Sequence, residues 1–406
     1  MNSATQHQSP QHKSLQLKSP QKIILIALTI GIIVLPFIGS LIRWGGLPPD
    51  FALLATTAAD VPPFNLGVFI ALSLVFLSIC AFLLFPRHFG FTPPTEQAIE
   101  AIKNARKPAK LPIWLYIGST LTLVFLVIMW GQFPALKQLT YYAFVPLWFG
   151  FILVLDGILH YRNSGKSLIS SRPSLMIWSA FLSIFGWYYF EYLNFFVLRN
   201  WYYPDLYLIS APETYIVSAL TFATIWPAVF VSYNLLLTFP KLSLRYSNGP
   251  KISLSPKAAA YTMLAGVIMC IATSVFYEAL FWMLWLGPLL ITCAALNRLS
   301  IWTPVSPITK GNWTPAIMIG LGTLCNSVPW ESWNYWSSPN NPNFWKYNLP
   351  YIHEFLIFEM PVLGFSGYLF FGIECWVLFI LFGKIIGINT DINLVNSQAH
   401  SIKGMH

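Results

Sequence analysis

Of the 406 residues, 56% are hydrophobic and only 9% are charged, against roughly a quarter charged in an ordinary soluble chain, which excludes a soluble globular protein. With 17% aromatics and 17 Trp, the chain also carries far more apolar surface than a disordered polymer. The net charge of +9 does not imply nucleic acid as a partner, because the basic residues sit in short segments between apolar runs; the composition is that of a polytopic membrane protein surrounded by lipid.

Residues 1–22 form a polar, basic tail, and the apolar run that follows lacks a small-residue cleavage site, so it is expected to stay as an anchor. A helix needs about 20 apolar residues to cross roughly 30 Å of hydrocarbon. Ten runs are candidates: 23–41, 66–85, 112–130, 141–161, 173–198, 214–239, 258–274, 279–296, 315–329 and 352–386. As one helix, 258–296 would be about 58 Å long at 1.5 Å per residue, nearly twice the bilayer, so a tight hairpin is predicted near Glu278. The last run is too long for one straight span, and Pro361 with Gly364 offers a break inside it. With the N-terminus in the cytoplasm, ten spans leave only Arg43, Lys137, Arg199 and Lys346 of the 23 Lys and Arg outside. The expected fold is an all-α transmembrane bundle of about ten spans, N-in and C-in, in the inner membrane.

Two stretches of the chain echo one another. Leu147-Trp148-Phe149-Gly150 matches Leu284-Trp285-Leu286-Gly287, and Pro173 with Met176-Ile177 matches Pro315 with Met318-Ile319. Glu191-x-x-Asn194 followed by Trp201-x-Tyr203 matches Glu331-x-x-Asn334 followed by Trp345-x-Tyr347. Order is preserved throughout, which predicts a parallel internal repeat of four helices. The organisation expected is a cytoplasmic tail (1–22), a two-helix unit with a basic loop (23–111), a first four-helix repeat (112–255), a second (256–386) and a cytoplasmic tail (387–406).

Half of the 14 acidic residues, Glu191, Asp205, Glu213, Glu278, Glu331, Glu354 and Glu359, fall near the outer ends of spans in this arrangement. Glu191 is embedded in an aromatic segment, where a charge facing lipid is costly, so it is expected to face the bundle interior or a wet cavity. Glu191 and Asn194 share a helical face, as do Glu331 and Asn334. A carboxyl held in apolar surroundings can give up a proton near neutral pH, with the amide orienting it or binding a partner group; the same pairs also suit interhelical hydrogen bonding. His353 is a candidate proton relay. Glu374 and Asp156 point to polar contacts within the bundle, and Asp156 is expected to pair with Arg162. Trp201, Tyr203, Trp330, Trp345 and Tyr347 suit either an interfacial belt or the wall of a cavity for an apolar or cationic species.

The order Trp-x-Tyr, short loop, then a carboxylate opening the next span (Trp201 to Tyr203 then Glu213; Trp345 to Tyr347 then His353-Glu354) resembles the integral-membrane lycopene cyclases of the two-subunit bacterial and fused archaeal or fungal kind. It is equally similar to bacterial multipass membrane proteins without an assigned activity. The cyclase resemblance implies acid-initiated cyclisation or hydration of a long polyene without a nucleotide cofactor, and carries the proton-donating role onto Glu213 and onto Glu354 or Glu359. The chain departs from that pattern in Thr214, where a second Glu is expected, in His353, and in an extra pair of helices.

The expected activity is therefore acid–base chemistry on a membrane-dissolved isoprenoid or other lipid. Glu191, Glu213, Glu331, Glu354, Glu359 and His353 are the candidate catalytic groups. Asn194, Asn334, Trp201, Tyr203, Trp345 and Tyr347 are the candidate substrate contacts. A proton-coupled transporter and a non-catalytic scaffold are the alternatives. No cofactor and no metal is expected: the chain has no phosphate-cradling Gly-rich loop, no HExxH and no Asp-rich prenyl-diphosphate site, and its five cysteines lie apart in apolar runs. The sequence sets no oligomeric state.

Overall fold

A computed structural model describes residues 19–394. Most of the two tails expected at 1–22 and 387–406 lies outside the described residues. Twelve main helices follow one another: α1 (Ser19–Trp44), α2 (Leu66–Leu84), α3 (Glu96–Asn104), α4 (Ile113–Gly131), α5 (Phe144–Arg162), α6 (Pro173–Phe195), α7 (Ala211–Phe222), α8 (Ile225–Leu236), α9 (Pro256–Val275), α10 (Gly287–Arg298), α11 (Thr314–Tyr335) and α12 (Gly367–Ile386). The strands β1 (Trp201–Tyr202), β2 (Lys346–Tyr347), β3 (Leu356–Ile357) and β4 (Met360–Pro361) form two short antiparallel pairs, β1 with β2 and β3 with β4.

Helix starts follow local chemistry. Asn65 accepts from the N–H of Val68 at 3.0 Å and Ser255 from that of Ala258 at 3.1 Å. Prolines stand at the opening of α6, α7, α9, α10 and α11, where a missing N–H removes no intrahelical bond.

Seven helical stretches are long and apolar enough to cross a membrane: α1, α2, α4, α5, α7 with α8, α9, and Val362–Ile386. The bent segment Tyr277–Leu284 with Gly287–Arg298 makes an eighth if counted as one span. The chain is a multi-pass membrane protein. The count falls short of ten because α6 and α11, of 23 and 22 residues, are long enough but more polar: they bury Glu191 with Asn194 and Glu331 with Asn326 and Asn334. The chain does turn back after Val275, where α9 ends, as the length argument required.

The run 352–386 departs from expectation. Only 367–386 is α-helix; before it lie the β3–β4 pair and a 3-10 turn, Val362–Ser366. Phe355 and Phe358 have positive φ values of 55° and 59°, which break a helix, and Pro361 supplies no N–H to continue one. His353, Glu354 and Glu359 consequently lie on loop, not on a helix.

Helix pairs close on small residues. A Cβ on Gly118 of α4 would sit 2.6 Å from the Gly150 carbonyl oxygen of α5, and one on Gly266 of α9 would sit 2.8 Å from the Gly287 oxygen of α10. Such contacts let backbones approach where lipid offers no hydrophobic drive for association. The step between α7 and α8 is stitched by α6: Ser183 Oγ donates to the Phe222 carbonyl at 2.5 Å and accepts from the Trp226 N–H at 3.1 Å.

Candidate functional site

The site grows from the ends of α6 and α11. Glu191 and Asn194, one turn apart on α6, are both fully buried. Glu191 Oε1 accepts from Trp187 Nε1 at 2.8 Å, Trp201 Nε1 at 3.0 Å and the Tyr203 hydroxyl at 2.6 Å. Asn194 Nδ2 donates to the Trp201 carbonyl at 2.8 Å while its Oδ1 accepts from the Trp201 N–H at 3.3 Å. The amide thus takes both backbone groups of Trp201 and fixes the loop that brings the indole back over the carboxyl.

The same construction stands on α11. Glu331 Oε1 accepts from the Tyr347 hydroxyl at 2.7 Å and from the Tyr368 hydroxyl. Asn334 Nδ2 donates to the Trp345 carbonyl at 2.8 Å and its Oδ1 accepts from the Trp345 N–H at 2.9 Å. The indole of Trp345 donates to the Tyr347 hydroxyl at 2.9 Å instead of to the carboxylate. The two loops then pair: Trp201 lies opposite Tyr347, and Tyr202 opposite Lys346. Sequence alone carried the Glu-x-x-Asn faces; the antiparallel join between their loops is a tertiary event.

Beneath this join lies a cavity of about 430 Å³, the larger of the two described. Trp201 and Tyr203 from one loop and Trp345 and Tyr347 from the other line it, with Trp187 and Tyr368 beside them. Leu72 and Phe76 of α2 line it as well, and α2 buries none of its own residues. Neither Glu191 nor Glu331 reaches the cavity surface; each is 0% exposed and stands behind the aromatic donors it holds. One oxygen of each, Oε2, has no hydrogen-bond partner. Asn194 and Asn334 likewise face loop backbone, so their observed part is to clamp the wall.

The remaining candidates sit elsewhere. Glu213 is exposed and closes a capping box at the start of α7, accepting from the Ser210 N–H at 2.8 Å, the Ser210 hydroxyl at 2.7 Å and the Tyr142 hydroxyl at 3.0 Å. Glu354 is exposed on the loop before β3. His353 Nδ1 lies 3.3 Å from the Leu349 carbonyl and does not line the cavity. Glu359 is half-buried near Glu331, close enough for their charges to interact, and faces Lys346. Burial raises the Glu359 carboxyl above its ordinary value, and Lys346 opposes the rise; the Asp205 carboxyl behaves in the same way. Asp156 does not pair with Arg162: it accepts from Trp114 Nε1 at 3.1 Å and from the N–H groups of Leu168 and Ile169 at 2.9 and 3.2 Å, while Arg162 donates to Thr238 Oγ1 at 2.8 Å. Glu374 is buried in α12 with neither carboxyl oxygen hydrogen bonded.

Two side chains of the candidate site escaped sequence reasoning. Trp187 stands four residues before Glu191, one turn away on the same face, and that spacing was a usable signal. Tyr368, far along the chain from Glu331 in an apolar segment, carried none. Among the described residues no group of three or more His, Cys, Asp or Glu side chains is placed to hold a metal ion.

Set against known protein families, curated proteins and solved structures, the chain matches none. The resemblance to lycopene cyclases therefore rests on the residues that carry it alone.

Proposed function

We propose that this protein is an inner-membrane enzyme that takes an apolar isoprenoid or related lipid from the bilayer into the aromatic cavity and carries out cofactor-independent acid–base chemistry on it, such as cyclisation, isomerisation or hydration. The observation that carries the reading is the pair of buried carboxyls at the wall of one cavity, Glu191 holding Trp and Tyr donors and Glu331 holding the hydroxyls of Tyr347 and Tyr368. Indole faces stabilise developing positive charge on a polyene, and hydroxyls hydrogen bonded to a buried carboxyl can move protons to and from carbon. Glu213 and Glu354 are left outside this reading because they stand on exposed surface; Glu359 and His353 enter it only as groups near the site.

The same reading takes α6 and α11 as crossing the membrane, which gives ten crossings with both ends of the chain in the cytoplasm. Helices walled in by others tolerate polar faces that lipid-facing helices do not. It also takes 112–255 and 256–386 as two like-oriented repeats, supported by the recurrence of Glu-x-x-Asn, the loop clamp and the Gly-to-Gly helix contacts in both.

The test is lipid extraction and mass spectrometry from cells with and without the protein, then with Glu331→Gln and Glu191→Gln. The expected result is a lipid product that depends on the protein and falls by about 100-fold or more in Glu331→Gln. Normal product in both variants overturns the reading. One observation favours a second reading, a proton-coupled permease: the unpartnered carboxyl of Glu374 deep in α12. Flux into proteoliposomes that follows a pH gradient and is lost in Glu374→Gln would favour it.

A further inference from the structure

The two carboxyl sites are alike in plan and unlike in chemistry. At Glu191 three donors converge on one oxygen, and two of them are indole N–H groups. An indole nitrogen donates and never accepts, so neither Trp187 nor Trp201 can take a proton from Glu191 or pass one to it. Tyr203, which lines the cavity, is the single hydroxyl among the donors at Glu191. At Glu331 both donors are hydroxyls, Tyr347 and Tyr368, and both residues line the cavity. A hydroxyl donates and accepts at once: Tyr347 already does so, receiving from the Trp345 indole while donating to Glu331. Glu359, half-buried and within charge reach of Glu331, adds an exchangeable carboxyl on that side alone.

We propose that proton traffic runs faster through the Glu331 side, where Tyr347 and Tyr368 pass protons between Glu331 and the cavity, while Glu191, reached by the one hydroxyl of Tyr203, chiefly positions Trp187, Trp201 and Tyr203. In the forward step the O–H bond of a tyrosine breaks as a C–H bond forms from a π pair of the ligand, and that hydroxyl is remade with the proton of Glu331. Loss of a proton from the ligand cation along the reverse path restores Glu331, so no oxidant or reductant is needed. Tyr347 and Tyr368 are then catalytic residues, and Glu191 a positioning residue.

The identity of the proton's recipient rests on the enzymatic reading above, but the traffic itself is measurable without a substrate. The experiment is infrared spectroscopy of the full chain in lipid during transfer from H₂O to D₂O, with carboxyl bands assigned by Glu331→Gln and Glu191→Gln. The Glu331 band is expected to shift on exchange well before the Glu191 band. Tyr368→Phe, and independently Tyr347→Phe, should slow exchange at Glu331 by about tenfold or more, whereas Trp187→Phe should not change it. If one Glu variant fails to fold, the other still assigns its own band, and the tyrosine variants report on exchange at the remaining carboxyl. Exchange at Glu191 as fast as at Glu331, or exchange at Glu331 indifferent to both tyrosines, overturns the inference. Faster exchange at Glu331 than at Glu191 in a protein that makes no product would leave it standing and remove the enzymatic reading alone.

Discussion

A single lysine sets the balance of charge beside the site. Asp205 is buried and Glu359 half-buried, both feel Lys346, and for each the burial outweighs the attraction, so the folded protein holds those protons more tightly than the unfolded chain does. The sign follows from linkage: their contribution to stability is complete below the ordinary values of 3.8 and 4.5 and is lost as pH rises through the higher folded values. Asp205→Asn combined with Glu359→Gln should therefore flatten the acid-side part of the stability profile. Thermal unfolding in detergent between about pH 4 and pH 7 checks this. Wild type should lose Tm relative to the double variant as pH rises, and parallel curves would refute the assignment.

Individual helices meet at glycines chosen by distance. On Gly118 a methyl would press on the Gly150 carbonyl oxygen of the neighbouring helix, whereas on Gly31 of α1 it would meet nothing within 4 Å. Gly118→Ala should cost about 1–3 kcal/mol, and Gly31→Ala should be neutral or stabilise by up to about 1 kcal/mol; unfolding of the two variants side by side distinguishes a packed seam from a lipid-facing surface. These contacts also mark what was legible in the sequence. The Glu-x-x-Asn spacing foretold the buried faces of α6 and α11, because it is a local pattern that a helix converts directly into a face, whereas the Leu-Trp-x-Gly echo was read as a repeat and not as the seam that Gly150 and Gly287 make. Ser210-x-x-Glu213 was equally local and spells a capping box, which explains Glu213 without chemistry. What escaped was non-local. Tyr368 meets Glu331 only after the chain has passed through two loops and a strand pair, and the segment 352–366 reads as apolar helix until two positive-φ phenylalanines and Pro361 are seen to fold it back.

Across the whole molecule the two ends differ in kind. One end gathers basic side chains: Arg106 donates to the Leu237 carbonyl at 2.9 Å, and the Arg162 guanidinium lies 3.9 Å over the Phe239 ring. At the other end lie β1 and β2, with the loop 45–65 held beside them through Asn348 Nδ2 donating to the Ala59 carbonyl at 2.7 Å and Tyr203 N–H donating to the Ala55 carbonyl at 2.8 Å. Because Lys and Arg are retained on the cytoplasmic side, the proposed orientation puts the strand pair outside and the loop before α9 inside. An impermeant maleimide applied to intact spheroplasts should then label Asp60→Cys, exposed on the 45–65 loop, and should reach Ser253→Cys, exposed before α9, only after permeabilisation. The five native cysteines would first be replaced, since Cys325 is itself exposed. Labelling with the two sides exchanged would reverse the orientation. Labelling of both from one side would break the count itself, because five crossings, 66–85, 112–130, 141–161, 173–198 and 214–239, separate Asp60 from Ser253, and an odd number of crossings puts the two on opposite sides.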